Sequence, residues 1–198
     1  MSKVQVDTID TRSGTSTMQI GSTNTSTINI GVSGDTVNIP SGVTIANAGT
    51  ATGFGGDNTP SFSVTNSGNT TVAASTWVKL GFDTEYYDTD SAFASDKFTV
   101  PASNAGKYYF GYTTRIQNID DQEYASIKLY KNGSALDVER TMGMNYSSKS
   151  AQGMNVSCFY IDEAAVSDYY EVYAYHTSGS AQYAEPGGTV FFGFKLLT

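Results

Sequence analysis

The chain has 198 residues, room for one domain of ordinary size and an appendage. It carries eleven Lys and Arg against nineteen Asp and Glu, a net charge of −8 with no basic run, which excludes a surface built to hold nucleic-acid phosphates. No apolar stretch is long enough to span a bilayer as a helix, a single cysteine excludes an internal disulfide, and the start MSKVQVDTID lacks a secretory apolar core, so synthesis in a cytoplasm without a signal peptide is expected.

Residues 1–56 contain one aromatic, Phe54, and five charges. Within them Thr15-Ser16-Thr17-Met18-Gln19-Ile20-Gly21 returns as Thr25-Ser26-Thr27-Ile28-Asn29-Ile30-Gly31. Met18-x-Ile20, Ile28-x-Ile30, Val37-x-Ile39 and Val43-x-Ile45 alternate apolar and polar residues, the period of a half-buried strand. Gly21, Gly31 and Pro40 follow closely and favour turns. The spacing predicts strands of about three residues, the first near Val4 to Val6. Each strand buries too little to stand alone, so rungs must stack on one another or on other chains. The reading is a thin β-repeat stalk wound from several chains, ending in a glycine-rich hinge at residues 48–56.

Residues 57–198 hold the other twenty-four aromatics and twenty-five charges, and are long enough for a core. Strand signals recur at residues 62–64, 76–80, 97–100, 107–116, 124–130, 154–161, 169–176 and 189–197, with no convincing helical period. Asn132-Gly133 is a strong hairpin turn, and Asn104-Ala105-Gly106 and Pro186-Gly187-Gly188 mark others. Many short strands, turn-rich joints and abundant aromatics predict an all-β antiparallel sandwich, a jelly roll being one form.

Several pieces resemble one family when taken in order: Tyr87-Asp88, then Phe98-Thr99-Val100-Pro101, then Gly106-Lys107-Tyr108-Tyr109-Phe110, then Leu129-Tyr130-Lys131-Asn132-Gly133, and the closing Phe191-Phe192-Gly193-Phe194-Lys195-Leu196-Leu197. That pattern, over about residues 60–198, is similar to the globular head of complement component 1q and its tumour-necrosis-factor-like relatives. Ser95-Asp96-Lys97 stands where the family often has Thr-Gly, and the strand repeat replaces the collagen segment. The resemblance implies a jelly-roll head in a tight homotrimer. The style of the repeat resembles virion fibre proteins of tailed bacteriophages. Together these imply a virion-surface structural protein: residues 1–56 attach it to other virion proteins, and a head of residues 57–198, able to fold alone as a trimer, adheres to a host glycan or protein. A capsid fibre or decoration protein without a receptor is the nearest alternative; a glycan-degrading enzyme and a complement-like lectin are others.

Candidate chemistry is sparse. His176, the sole histidine, ends a Tyr-rich strand and reads as a strand-end polar residue rather than a catalytic base. Cys158 lies between Ser157 and Phe159 and reads as a small core residue. One His and one Cys exclude an ordinary zinc site, and no catalytic residue and no cofactor is expected. Asp83, Glu85, Asp88 and Asp90 offer oxygens of the kind calcium takes, but not at EF-hand spacing, and Asp88 belongs to the structural Tyr-Asp. Asp120, Asp121 and Glu123 read as a solvated turn. Tyr86 and Tyr87, Tyr146 and Tyr183 sit in three stretches read as loops. Tyrosine amid Ser, Gly and Asn is the chemistry of adaptable recognition surfaces and of stacking on sugars. Packing of these rings against neighbouring subunits is the equal alternative.

Overall fold

The computed structural model describes residues 20, 23–24, 26–46, 58–137, 140–147 and 151–196. The chain divides into two units, Met1–Ala51 and Thr52–Thr198.

In the first unit, residues 26–46 are extended chain punctuated by turns at Ser33-Gly34 and Ser41-Gly42, with Gly31, Gly34 and Gly42 at positive φ. Asp35 closes one turn, its carboxylate accepting from the Val32 N–H at 2.9 Å. The turns fall near the expected places, but the expected strands at residues 28–30, 37–39 and 43–45 do not form. A strand requires a ladder partner, and a single chain offers none here. Ile28, Ile30, Val37, Ile39, Val43 and Ile45 stand exposed, between 45 and 69%. The expected strands at residues 4–6 and 18–20 fall wholly or mainly outside the described residues.

The second unit is built of strands, with no helix among the described residues. They are β1 (Ser61–Thr65), β2 (Thr70–Val72), β3 (Val78–Lys79), β4 (Thr84–Asp88), β5 (Phe93–Ala94), β6 (Lys97–Thr99) and β7 (Gly106–Ile119). There follow β8 (Tyr124–Lys131), β9 (Ser134–Ala135), β10 (Met142–Tyr146), β11 (Ala151–Ala164), β12 (Tyr169–His176), β13 (Gln182–Ala184) and β14 (Val190–Lys195). All pairings are antiparallel, in two seven-stranded sheets. Sheet A runs β2-β13-β7-β14-β1-β4, with β11 on the other edge of β7. Sheet B runs β10-β8-β12-β6-β5, with β3 on β12 and β9 on β8. Sequence-distant strands become neighbours, as in a jelly roll.

Each predicted strand of this unit overlaps an observed one. β8 and β9 are joined by the two-residue turn Asn132-Gly133, with φ of 53° and 76°, the primed geometry that Asn-Gly favours. The core between the sheets is largely aromatic. Phe62 stacks on Phe98 at 4.6 Å and meets Phe191 edge-on at 4.9 Å, while Phe110 lies 4.2 Å from Tyr170. Gly193 makes room for this packing, since a Cβ there would lie 2.8–2.9 Å from Phe110, Phe62 and the Tyr109 carbonyl.

Candidate functional site

Alternation along β7, β11 and β14 sends Tyr108, Phe110 and Phe191 into the core and their neighbours outward. The register then sets outward residues side by side: Ile161 beside Tyr109 beside Phe194, and in the next row Phe159 beside Gly111 beside Phe192. Tyr109 lies 6.1, 6.2 and 5.4 Å from Phe159, Phe192 and Phe194. Phe159 and Ile161 are 67 and 52% exposed. Gly111 leaves a recess that the Phe192 ring enters, occupying the space where a Cβ would stand. A groove of about 360 Å³ opens here, lined by Tyr109, Gly111, Met142, Cys158, Phe159 and Phe192. The part of sheet A's outer face formed by β11, β7 and β14 is thus a continuous apolar, largely aromatic surface. Arg115 bounds it, paired to Glu185 at 3.0 Å.

The outer face of sheet B is aromatic too. Trp77 lies 5.2 Å from Tyr175, Tyr175 lies 5.8 Å from Tyr124, and Tyr130 stacks on Tyr173 at 3.9 Å. Lys128 holds its ammonium 4.2 Å above the Trp77 ring and Lys97 its own 4.5 Å above Tyr169, both within cation–π range. Burial lowers the Lys128 pKa and raises those of Tyr124, Tyr130 and Tyr173. Sequence reasoning passed over these residues. Their only signal was the odd-numbered tyrosines of residues 169–175, read as strand and not as surface.

The three Tyr stretches read as loops are strands. Tyr86 and Tyr87 lie on β4, Tyr146 ends β10 and Tyr183 is central in β13. β4 and β10 are edge strands and lose the alternation that betrays a strand, β4 being exposed at Thr84, Glu85, Tyr86 and Tyr87 alike; β13 alternates but is only three residues long. A bulge opposite Ser63 and Val64 leaves Tyr86 unpaired. Tyr86 and Tyr87 stand on the edge of sheet A opposite β11, four ladder spacings or about 19 Å across. Tyr146 belongs to sheet B and Tyr183 to the β2-β13 end of sheet A, so the four tyrosines do not converge within one chain.

The acidic residues are likewise spread. Asp83 and Asp88 are about 17 Å apart along extended β4. Asp83 accepts from the hydroxyl and the N–H of Ser67, both at 2.6 Å, which hold its pKa below the ordinary range. Asp88 accepts from the Phe93 N–H at 2.8 Å, and Asp90 from the Thr89 hydroxyl at 2.7 Å. Glu85 projects into solvent. Among the described residues no group of three or more His, Cys, Asp or Glu could hold a metal ion.

His176 is a strand-end residue and fully buried. Its Nε2–H donates to the Val72 carbonyl at 2.9 Å, and Nδ1 meets no polar partner. Cys158 is half-buried, packed on the core edge and lining the sheet A groove. A further charged network ties β8 to the β11–β12 turn. Lys131 reaches Asp162 at 2.7 Å and Asp168 at 3.0 Å, and the Tyr170 hydroxyl donates to Asp162 at 2.6 Å. Burial alone would lower the Lys131 pKa, but the two carboxylates outweigh it and hold it above the ordinary value. This network braces the turn and leaves no carboxylate unengaged for acid–base work.

Two crossed-over antiparallel sheets with an aromatic face on each side define a jelly-roll domain. Comparison with solved structures finds the same fold. The globular domain of zebrafish complement 1qA matches with a TM-score of 0.51 and 19% identity, over 69% of this chain and 97% of that one. The Eiger tumour necrosis factor of S. frugiperda matches with a TM-score of 0.51 and 11% identity, over 69% and 91%. No family model and no curated protein matches this sequence. The jelly-roll head of complement 1q and tumour necrosis factor is therefore the fold of this chain, as the ordered motifs implied.

Proposed function

We propose that this chain is a non-enzymatic structural fibre protein on the surface of a phage virion, whose jelly-roll head assembles as a homotrimer and adheres to the host. The observation that carries it is the aromatic outer face of sheet A. Six side chains of three adjacent strands, Tyr109, Phe159, Ile161, Phe192, Phe194 and Val190, form one apolar surface on a chain of net charge −8. A patch of this size, rimmed by the Arg115–Glu185 pair, has the make-up of an interface core. A second and third copy of the chain are its occupants. The seven exposed aliphatics of residues 28–45 support the same assembly, because three chains held together at their heads supply one another's missing ladders. Residues 1–56 then join the head to other virion proteins. Adhesion falls to surfaces that remain outside: the exposed tyrosines at 86, 87, 146 and 183, and the outer face of sheet B. Three copies of a weak site act together through avidity.

Light scattering on the intact chain tests the assembly. A mass three times 21.1 kDa is expected, and a well-folded monomer at all concentrations overturns it. Competition of purified protein with virions for host cells tests adhesion; undiminished adsorption at saturating protein refutes it.

A further inference from the structure

Ser126 and Lys128 alternate along β8 with the core residues Ala125, Ile127 and Leu129, so both stand on the outer face of sheet B. Neither is open to solvent: Ser126 is 0% and Lys128 5% exposed. The register places Tyr175 and Met144 on either side of Ser126, and Tyr173 beside Lys128. Trp77, Tyr175 and Tyr124 form a row above them, with successive ring centroids 5.2 and 5.8 Å apart.

Both polar groups lack the partners that burial demands. The Ser126 hydroxyl makes no hydrogen bond, although a buried hydroxyl almost always has one. Among the described residues Lys128 has the Trp77 ring and no carboxylate, although a buried ammonium is ordinarily paired. Glu171 on the same face is engaged, holding Lys79 at 2.9 Å. Among the described residues Lys97 has only the Tyr169 ring. In a chain with net charge −8 this face carries, among the described residues, Lys79, Lys97 and Lys128 against Glu171, with Glu123 near enough to Tyr124 to raise its pKa. An aromatic row over an unpaired hydroxyl and an unpaired cation has the composition of a ligand site, apolar with a few placed polar groups.

We infer that the outer face of sheet B binds an acidic saccharide, its rings stacked on Trp77 and Tyr175 and its carboxylate drawn toward the Lys128 ammonium beside the Trp77 ring. Sugar rings offer apolar C–H faces to aromatic rings and hydroxyls to the tyrosine edges, and the positive balance of the face selects an anionic sugar over a neutral one. The inference names the ligand class and the surface for the adhesive reading above and rests on it. It does not depend on the trimer.

The test is titration calorimetry on the intact chain with two probes of equal length. One is a hyaluronan tetrasaccharide, which alternates glucuronate and N-acetylglucosamine; the other is chitotetraose, which has no carboxylate. The acidic probe should bind at least about tenfold tighter than the neutral one and weaken with added salt. Lys128→Met, which keeps the packing volume, should erase that preference. Trp77→Ala should weaken both probes about tenfold, whereas Val166→Ser on the β11–β12 turn should change nothing. Equal affinity for the two probes overturns the acidic assignment. Acidic binding unaffected by Trp77→Ala and Lys128→Met overturns this surface while leaving adhesion standing. No binding of either probe at millimolar concentration overturns the ligand class, and host-cell competition then shows whether adhesion itself fails. A change of oligomeric mass in Trp77→Ala assigns the face to subunit contact and overturns the inference as well.

Discussion

Phe159→Asp probes the self-association surface most directly. Phe159 is 67% exposed on β11 and touches Tyr109 at 6.1 Å, so the folded monomer loses little when it is replaced. A buried phenylalanine removes roughly 200 Å² from water, of which about 130 Å² remains to be covered here. At about 25 cal/mol per Å² that is ~3 kcal/mol per subunit, or ~10 kcal/mol over three. Aspartate adds the cost of desolvating an unpaired carboxylate, several kcal/mol per site. Together these shift the assembly equilibrium by many powers of ten, so the variant should be monomeric at about 10 μM while keeping its far-ultraviolet dichroism. Phe159→Tyr should still assemble. Light scattering after size exclusion gives the mass. A variant with the wild-type mass and the wild-type dilution behaviour refutes the assignment of this face.

Gly193→Ala should destabilise the head by about 1–3 kcal/mol through overpacking, because its Cβ meets Phe110, Phe62 and the Tyr109 carbonyl at 2.8–2.9 Å; thermal melting measures this, and an unchanged Tm refutes it. Gly133→Ala should cost about 1 kcal/mol, since φ of 76° closes the β8–β9 turn; equal denaturant midpoints refute it. Stability should fall in acid. Burial raises the Asp168 pKa, but bonds from Asn132, the Ala165 N–H and Lys131 outweigh it, and Ser67 lowers that of Asp83. Carboxylates with depressed folded values contribute above their unfolded value near 3.8 and lose that contribution as pH falls through the folded one. Melting temperature should hold from pH 7 to 5 and drop below about 4, less steeply in Asp168→Asn; equal slopes refute the linkage. Burial first and the Asp90 charge second push Tyr108 up to about 12. Its neutral form therefore contributes below pH 10 and is lost between there and about 12, so ultraviolet titration should leave a class of tyrosines un-ionised at pH 11. Chelator should leave Tm unchanged, given the dispersed carboxylates of residues 83–90; a shift of several degrees refutes that.

Local chemistry alone determined much of this protein. Alternation marked the long strands β7, β8, β11 and β12, because a strand packed on one face must repeat every second residue. Asn132-Gly133 marked its turn because few residues adopt positive φ. The order of Phe98-Thr99, Gly106 to Phe110 and Phe191 to Leu197 pointed to the right fold, and these strands carry Phe98, Tyr108, Phe110 and Phe191 of the core. The short edge strands β4 and β10 escaped notice: they have partners on one side only, and their residues are exposed irrespective of period. Strand order decided everything beyond that. Periodicity says that Phe159 and Phe192 face away from the core, but only the pairing of β11 and β14 with β7 sets them on either side of Gly111. Trp77, Tyr124 and Tyr175 are up to 98 residues apart in sequence, and they share a surface because β3 and β8 both pair with β12. A strand's own residues specify which side is buried; which strands lie beside it depends on long-range pairing, and the surfaces of this molecule are made from that pairing.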